Sequence, residues 1–139
     1  MISRMECIEK YGSDYNIRKK IRNGELFKVG KGIYSETESV PELAIICFQY
    51  PNSVITMDTA FYLYGMTDTI PEKYDLATER DSAKIKDSRI KQHFQPNDFF
   101  LQGKSTIEYK GYTLPIYSKE RMLIELLRHK TKYPFDKYK

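Results

Sequence analysis

The sequence predicts an α+β protein in two parts: a small N-terminal head closing on a basic helix and a β-hairpin, and a larger body of helices around a small antiparallel sheet. Three observations carry this prediction. Residues 15–35, YNIRKKIRNGELFKVGKGIYS, place a helical amphipathic period directly ahead of two short extended runs. Residues 99–117 hold three short runs rich in aromatic and aliphatic side chains, separated by turn residues. Residues 118–130, SKERMLIELLRHK, combine a capping serine, an early acid, late bases and a helical apolar stripe.

Taken in order, the first helix is expected from about Ser3 to Tyr11, with Met1, Met5 and Ile8 as its packing stripe and Gly12 as its end. The second is expected over Tyr15 to Asn23, with Ser13 or Asp14 as N-cap and Gly24 as the stop. At about 100° per residue, Ile17 and Ile21 fall on one side. Tyr15, Arg18, Lys19 and Arg22 form a stripe opposite. The extended runs Leu26 to Val29 and Ile33 to Ser35 then flank Gly30-Lys31-Gly32, whose glycines tolerate positive φ and carry Lys31 at the tip. Lys28 and Lys31 are expected beside the helix stripe. A basic helix followed at once by such a hairpin is the order of a winged helix-turn-helix. The polar stretch Glu36 to Ser39 sets the predicted boundary, a head of residues 1–37 and a body of 38–139.

The body opens with a helix from Pro41 whose Leu43, Ile46, Cys47 and Tyr50 share a face, stopped by Pro51 and Asn52. Thr56 caps a short helix over Met57 to Tyr64, with Ala60, Phe61 and Tyr64 inward and Gly65 closing it. Tyr74 to Thr78 reads as a strand. The polar piece Glu79 to Asp98 reads as a solvated helix or a mobile loop. Its Lys84, Lys86, Arg89 and Lys91 leave a second nucleic-acid surface as the other reading. Phe99 to Gln102, Ser105 to Tyr109 and Tyr112 to Tyr117 are expected as an antiparallel meander, with Lys110-Gly111 as a hairpin turn. In the last helix Met122, Leu123, Leu126 and Leu127 form the expected buried face, and Arg128, His129 and Lys130 complement its C-terminal dipole. Tyr133, Phe135 and Tyr138 have no following element to pack against, so the chain reads as truncated at its C-terminus.

Composition narrows the class. The 139 residues include 12 Tyr and 7 Phe, enough to build a core, and no run of about eighteen apolar residues or signal-peptide centre occurs. A soluble cytoplasmic protein is expected. The net charge is +4. All of this excess lies in residues 1–35, where Arg4, Lys10, Arg18, Lys19, Lys20, Arg22, Lys28 and Lys31 outnumber Glu6, Glu9, Asp14 and Glu25. A basic head on a neutral body is the footprint of nucleic-acid binding. Cys7 and Cys47 have no paired spacing and read as buried thiols, not as a disulfide or metal ligands.

Catalytic signals are weak. Asp75, Glu79 and Asp81 stand where a metal-dependent nuclease keeps carboxylates, yet Asp81 occupies the position such a core gives to lysine. Gly12-Ser13-Asp14 is better read as turn and cap than as the start of a nucleotidyltransferase motif. Gly30-Lys31-Gly32 lacks the third glycine and following helix of a phosphate loop. His93 and His129 read as surface or helix-dipole residues. No cofactor, no metal and no enzymatic activity are expected.

Three blocks, NGELFKVGKGIYS, VITMDTAFYLYGMTDTIP and IYSKERMLIELLR, together resemble the AbiEi-like abortive-infection antitoxins, the regulatory half of type IV toxin–antitoxin systems. With their spacing they cover nearly the whole chain. The resemblance implies a winged-helix domain that represses its own operon and an α+β domain that counters a nucleotidyltransferase-like toxin. By position it implies that Tyr15, Arg18, Lys19, Arg22, Lys28 and Lys31 face double-stranded operator DNA. The segment before the hairpin is about two helices long, whereas a full winged helix has three. The other class left open is a protein-interaction module of a phage-defence system without DNA binding.

Overall fold

The structure, a computed structural model, describes residues 1–128. Among them are six helices, a three-stranded antiparallel sheet and a five-stranded mixed sheet, an α+β architecture. No helix of the described residues is long and apolar enough to cross a membrane. His129, Lys130, Tyr133, Phe135 and Tyr138 lie outside the described residues. Two compact units are present, Met1–Pro51 and a second that opens at Asn52.

The first unit runs β1 (Ile2–Ser3), α1 (Arg4–Tyr11), α2 (Asp14–Arg22), β2 (Phe27–Gly30), β3 (Ile33–Ser35) and α3 (Glu42–Gln49). Ser3 caps α1 by accepting from the Glu6 N–H, and Gly12 ends it at φ 93° with its N–H on the Ile8 carbonyl. The inward face of α1 differs from the expected one: Met5 is 77% exposed and Ile8 is also exposed. Cys7 is buried in their place, in a core with Ile17, Leu26 and Tyr34 against which Ile2 and Tyr11 pack. The cause is β1, which pairs Ile2 with Tyr34 and Ser3 with Ile33. That pairing, and a bond from the Arg4 N–H to the Gly32 carbonyl, fix the start of α1 and so choose which side turns inward.

The sequence ended the head at residue 37, whereas the compact unit extends through α3 to Pro51. Leu43, Ala44, Ile46 and Cys47 of α3 are buried. Ile45 lies so close to the hairpin that a Cβ on Gly30 would meet it at 3.4 Å. A helix apolar nearly all round has to be covered on more than one side.

The second unit runs β4 (Val54–Ile55), α4 (Met57–Leu63), β5 (Tyr74–Glu79), β6 (Ile90–Gln95), α5 (Asn97–Phe100), β7 (Lys104–Tyr109), β8 (Tyr112–Tyr117) and α6 (Lys119–Arg128). The strands lie in the order β6-β5-β4-β8-β7. β4 pairs antiparallel with β5 and parallel with β8, while β5 and β6 are parallel. The expected three-strand meander is therefore corrected: β7 and β8 do form a hairpin, with Lys110 and Gly111 both at positive φ, but they are one side of a larger mixed sheet.

Residues 99–102, expected as a strand, belong to α5 and the turn after it. Pro96 precedes the helix, and its carbonyl accepts the Phe99 and Phe100 N–H groups. The polar piece 79–98, expected as helix or loop, contains β6. Its preceding loop is pinned by Gln92, which accepts from the Ile85 N–H at 2.7 Å and donates to the Ala83 carbonyl and the Thr78 hydroxyl.

Cys7 and Cys47 are free and buried, as the sequence predicts. Burial pushes both thiols up, Cys47 to about 12.

Candidate functional site

The basic helix forms where the sequence places it. Ser13, not Asp14, is the N-cap: its hydroxyl oxygen accepts the Asn16 N–H at 3.2 Å. Asp14 stands in the first turn and Lys19, Lys20 and Arg22 in the last, so both ends match the helix dipole. Ile17 is buried, but Ile21 is 37% exposed, so the packing face of α2 is narrower than expected.

Tyr15, Arg18, Lys19 and Arg22 are all exposed and share the face opposite Ile17. Lys28 is exposed on β2 and Lys31 on the turn of the hairpin. The turn is held firmly for so short a hairpin, because β3 is paired on both sides and the Gly32 carbonyl accepts from Arg4.

These cations are not equivalent. Arg18 lies 2.9 Å from Asp14 at i−4, and the same carboxylate takes the Arg4 guanidinium at 2.9 Å. Lys20 pairs with Glu25 at 3.2 Å and lies over the Tyr11 ring. Lys10 pairs with Glu36 at 2.7 Å; its hydrogen bond and charge hold the Glu36 carboxyl below the usual range, and Glu36 raises Lys10 in return. Lys19, Arg22, Lys28 and Lys31 have no carboxylate partner among the described residues. The free positive field of the head therefore rests on those four side chains. The i, i+4 contact of Arg18 was legible from spacing. The share that Arg4 takes was not, because it joins two helices.

A shallow cleft of about 230 Å³ opens on the flank of α2, lined by Tyr11, Asn16, Lys19, Lys20, Asn23 and Glu25. Asn16 is fixed there by donating to the Tyr11 carbonyl at 2.7 Å. Lys19 thus stands between the exposed stripe and the cleft.

The carboxylates weighed for catalysis do not converge. Asp75 is buried, and its oxygens accept from the Thr59 N–H at 3.2 Å, the Thr59 hydroxyl at 3.0 Å and the His93 ring at 2.9 Å. Asp81 accepts from the Asn97 side chain. His93, expected on the surface, is instead half-buried as the neighbour of Asp75. Asp75 ties α4 to β5 and β6, which is a structural use of a carboxylate. No group of three potential metal-ligating side chains occurs among the described residues.

No protein-family model matches the chain, and no curated protein matches it.

Proposed function

We propose that this chain is an antitoxin-type transcriptional regulator, whose first unit is a shortened winged helix-turn-helix binding operator DNA and whose second unit serves to counter a nucleotidyltransferase-like toxin. The observation that carries the DNA half is the set of exposed cations without partners, Lys19 and Arg22 on α2 and Lys28 and Lys31 on the hairpin. The toxin half rests on the three sequence blocks alone. In this reading α2 lies in the major groove and the hairpin is the wing. Lys19, Lys28 and Lys31 neutralise phosphates, which gives affinity without sequence preference. Arg22, whose guanidinium offers a planar fork of donors, reads a guanine edge. Arg18 contributes less than its position suggests, because binding must compete with Asp14.

Electrophoretic shift against duplex DNA from upstream of the chain's own reading frame tests this reading. Each neutralised phosphate adds a slope of about −0.9 to log K against log salt, so Lys19→Ala with Lys31→Ala makes the slope shallower by roughly two units on any sequence. Arg22→Ala instead costs about 1–3 kcal/mol at one operator position. A folded Lys19/Lys31 double variant with unchanged affinity and slope would sink the proposal. The second reading, a protein-interaction module without DNA binding, draws its support from the internal pairing of Arg18 and Lys20.

A further inference from the structure

The outer face of α6 carries a second apolar surface. Met122 and Leu126 are buried, and so are Arg121 and Glu125, an ion pair at 3.2 Å. Leu123, Ile124 and Leu127 are left 49%, 50% and 69% exposed. Three large aliphatic side chains on adjacent turns, facing water while a guanidinium and a carboxylate of the same helix are buried, form a contiguous patch of the kind that marks an interaction surface.

The charges around the patch specify what fits it. Glu120 lies one turn before Ile124 and Arg128 one turn after it; Glu120 is exposed, and Arg128 keeps about half of its side chain in water although it contacts Glu125 and lies over the Phe99 ring, 4.7 Å from its centre. Lys119 is drawn aside over the Tyr64 ring, 5.5 Å from its centre. The exposed face therefore reads acid, apolar, base along its length. Such a pattern is complementary to itself when reversed: in an antiparallel pair Glu120 of each helix lies level with Arg128 of the other, whereas a parallel pair sets like against like.

We propose that this face joins two copies of the chain, with their α6 helices antiparallel about a two-fold axis beside Ile124. One helical face is smaller than a standard interface of roughly 800 Å² per partner, so the dimer is weak and concentration-dependent. The proposal is independent of DNA binding.

Sedimentation equilibrium of the full chain over roughly a hundredfold range of concentration tests it. The wild-type chain is expected to shift from monomer to dimer. Leu127→Asp, which changes a side chain mostly in water, is expected to stay folded and monomeric throughout. Glu120→Lys and Arg128→Glu are each expected to weaken pairing about tenfold, since either homodimer opposes like charges. An equimolar mixture of those two variants is expected to regain wild-type pairing, because both contacts are then between opposite charges. A wild-type chain that remains monomeric, a Leu127→Asp chain that still dimerises, or a folded mixture that does not regain pairing would each overturn the proposal.

Discussion

α2 and α6 are similar helices in sequence that meet their surroundings in opposite ways. Each begins on a serine whose hydroxyl oxygen accepts a backbone N–H, from Asn16 in one and Arg121 in the other. Each carries an acid in its first turn and a base in its last. In α2 the aliphatic Ile17 goes in and the cations stay out. In α6 a cation goes in and three aliphatics stay out. The difference lies in what the neighbours require. Next to α6, the end of α5 and the turn after it leave the Phe99 and Gln102 carbonyls facing inward, and the Arg121 guanidinium donates to both. The same guanidinium is stacked between the Phe99 ring at 3.6 Å and the Tyr117 ring at 4.0 Å. Buried acceptors need donors more than leucines need cover, so the helix turns Arg121 inward.

The largest expected effect follows from breaking that arrangement. Arg121→Ala removes the donor to two carbonyls and one partner of buried Glu125, and is expected to cost about 3–5 kcal/mol in denaturant unfolding. A loss below about 1 kcal/mol would show that Arg121 does not dictate how α6 is turned. In α2 the expected cost is set by hydrophobic burial: Ile17→Ala about 2–4 kcal/mol, Ile21→Ala under about 1. Equal costs at the two positions would contradict the narrow packing face.

Leu127→Gln, on the outer face of α6, is expected to shift the stability of the dilute monomer by no more than about 0.5 kcal/mol. A large loss in the same denaturant unfolding would mean the face is covered within one chain.

The smallest effect concerns pH. Lys10 is raised by Glu36, so its contribution is complete below the ordinary lysine pKa and disappears as pH rises through the raised value. Glu36 is lowered by Lys10, so its contribution is complete above the ordinary carboxylate pKa and disappears as pH falls through the lowered value. Both groups are exposed. Lys10→Ala is therefore expected to lower stability slightly at neutral pH, more visibly at low salt, and to leave it unchanged at the two pH extremes, where one member of the pair is already uncharged.

The legible parts of the fold were those written in short-range pattern. The helix around Ile17, the glycine-flanked hairpin, the Lys110-Gly111 turn and the serine cap of α6 each depend on residues within a few positions of one another. β6 was missed because it is a sheet-edge strand with a largely polar sequence, IKQHFQ, held partly by the Gln92 side chain. α5 was hidden because Phe99 and Phe100 look like strand residues, while the decisive Pro96 precedes them. The exposed residues of the candidate site were readable for the same short-range reason. Which of their charges are already neutralised was not, since Arg4 and Asp14 meet across two helices.

The two-residue strand β4 governs how quickly the second unit can assemble. Val54 and Ile55 are fully buried, and Ile55 pairs with Ile116, roughly sixty residues further along the chain. The sheet is not continuous across β4 until that distant segment arrives, so a long loop must close before its entropy cost is repaid by burial. The head needs no such closure, because Cys7, Ile17, Leu26 and Tyr34 lie within one short stretch. During synthesis the first unit is complete while β8 is still to be made, and refolding from denaturant should show a fast phase from the head followed by a slower one from the sheet.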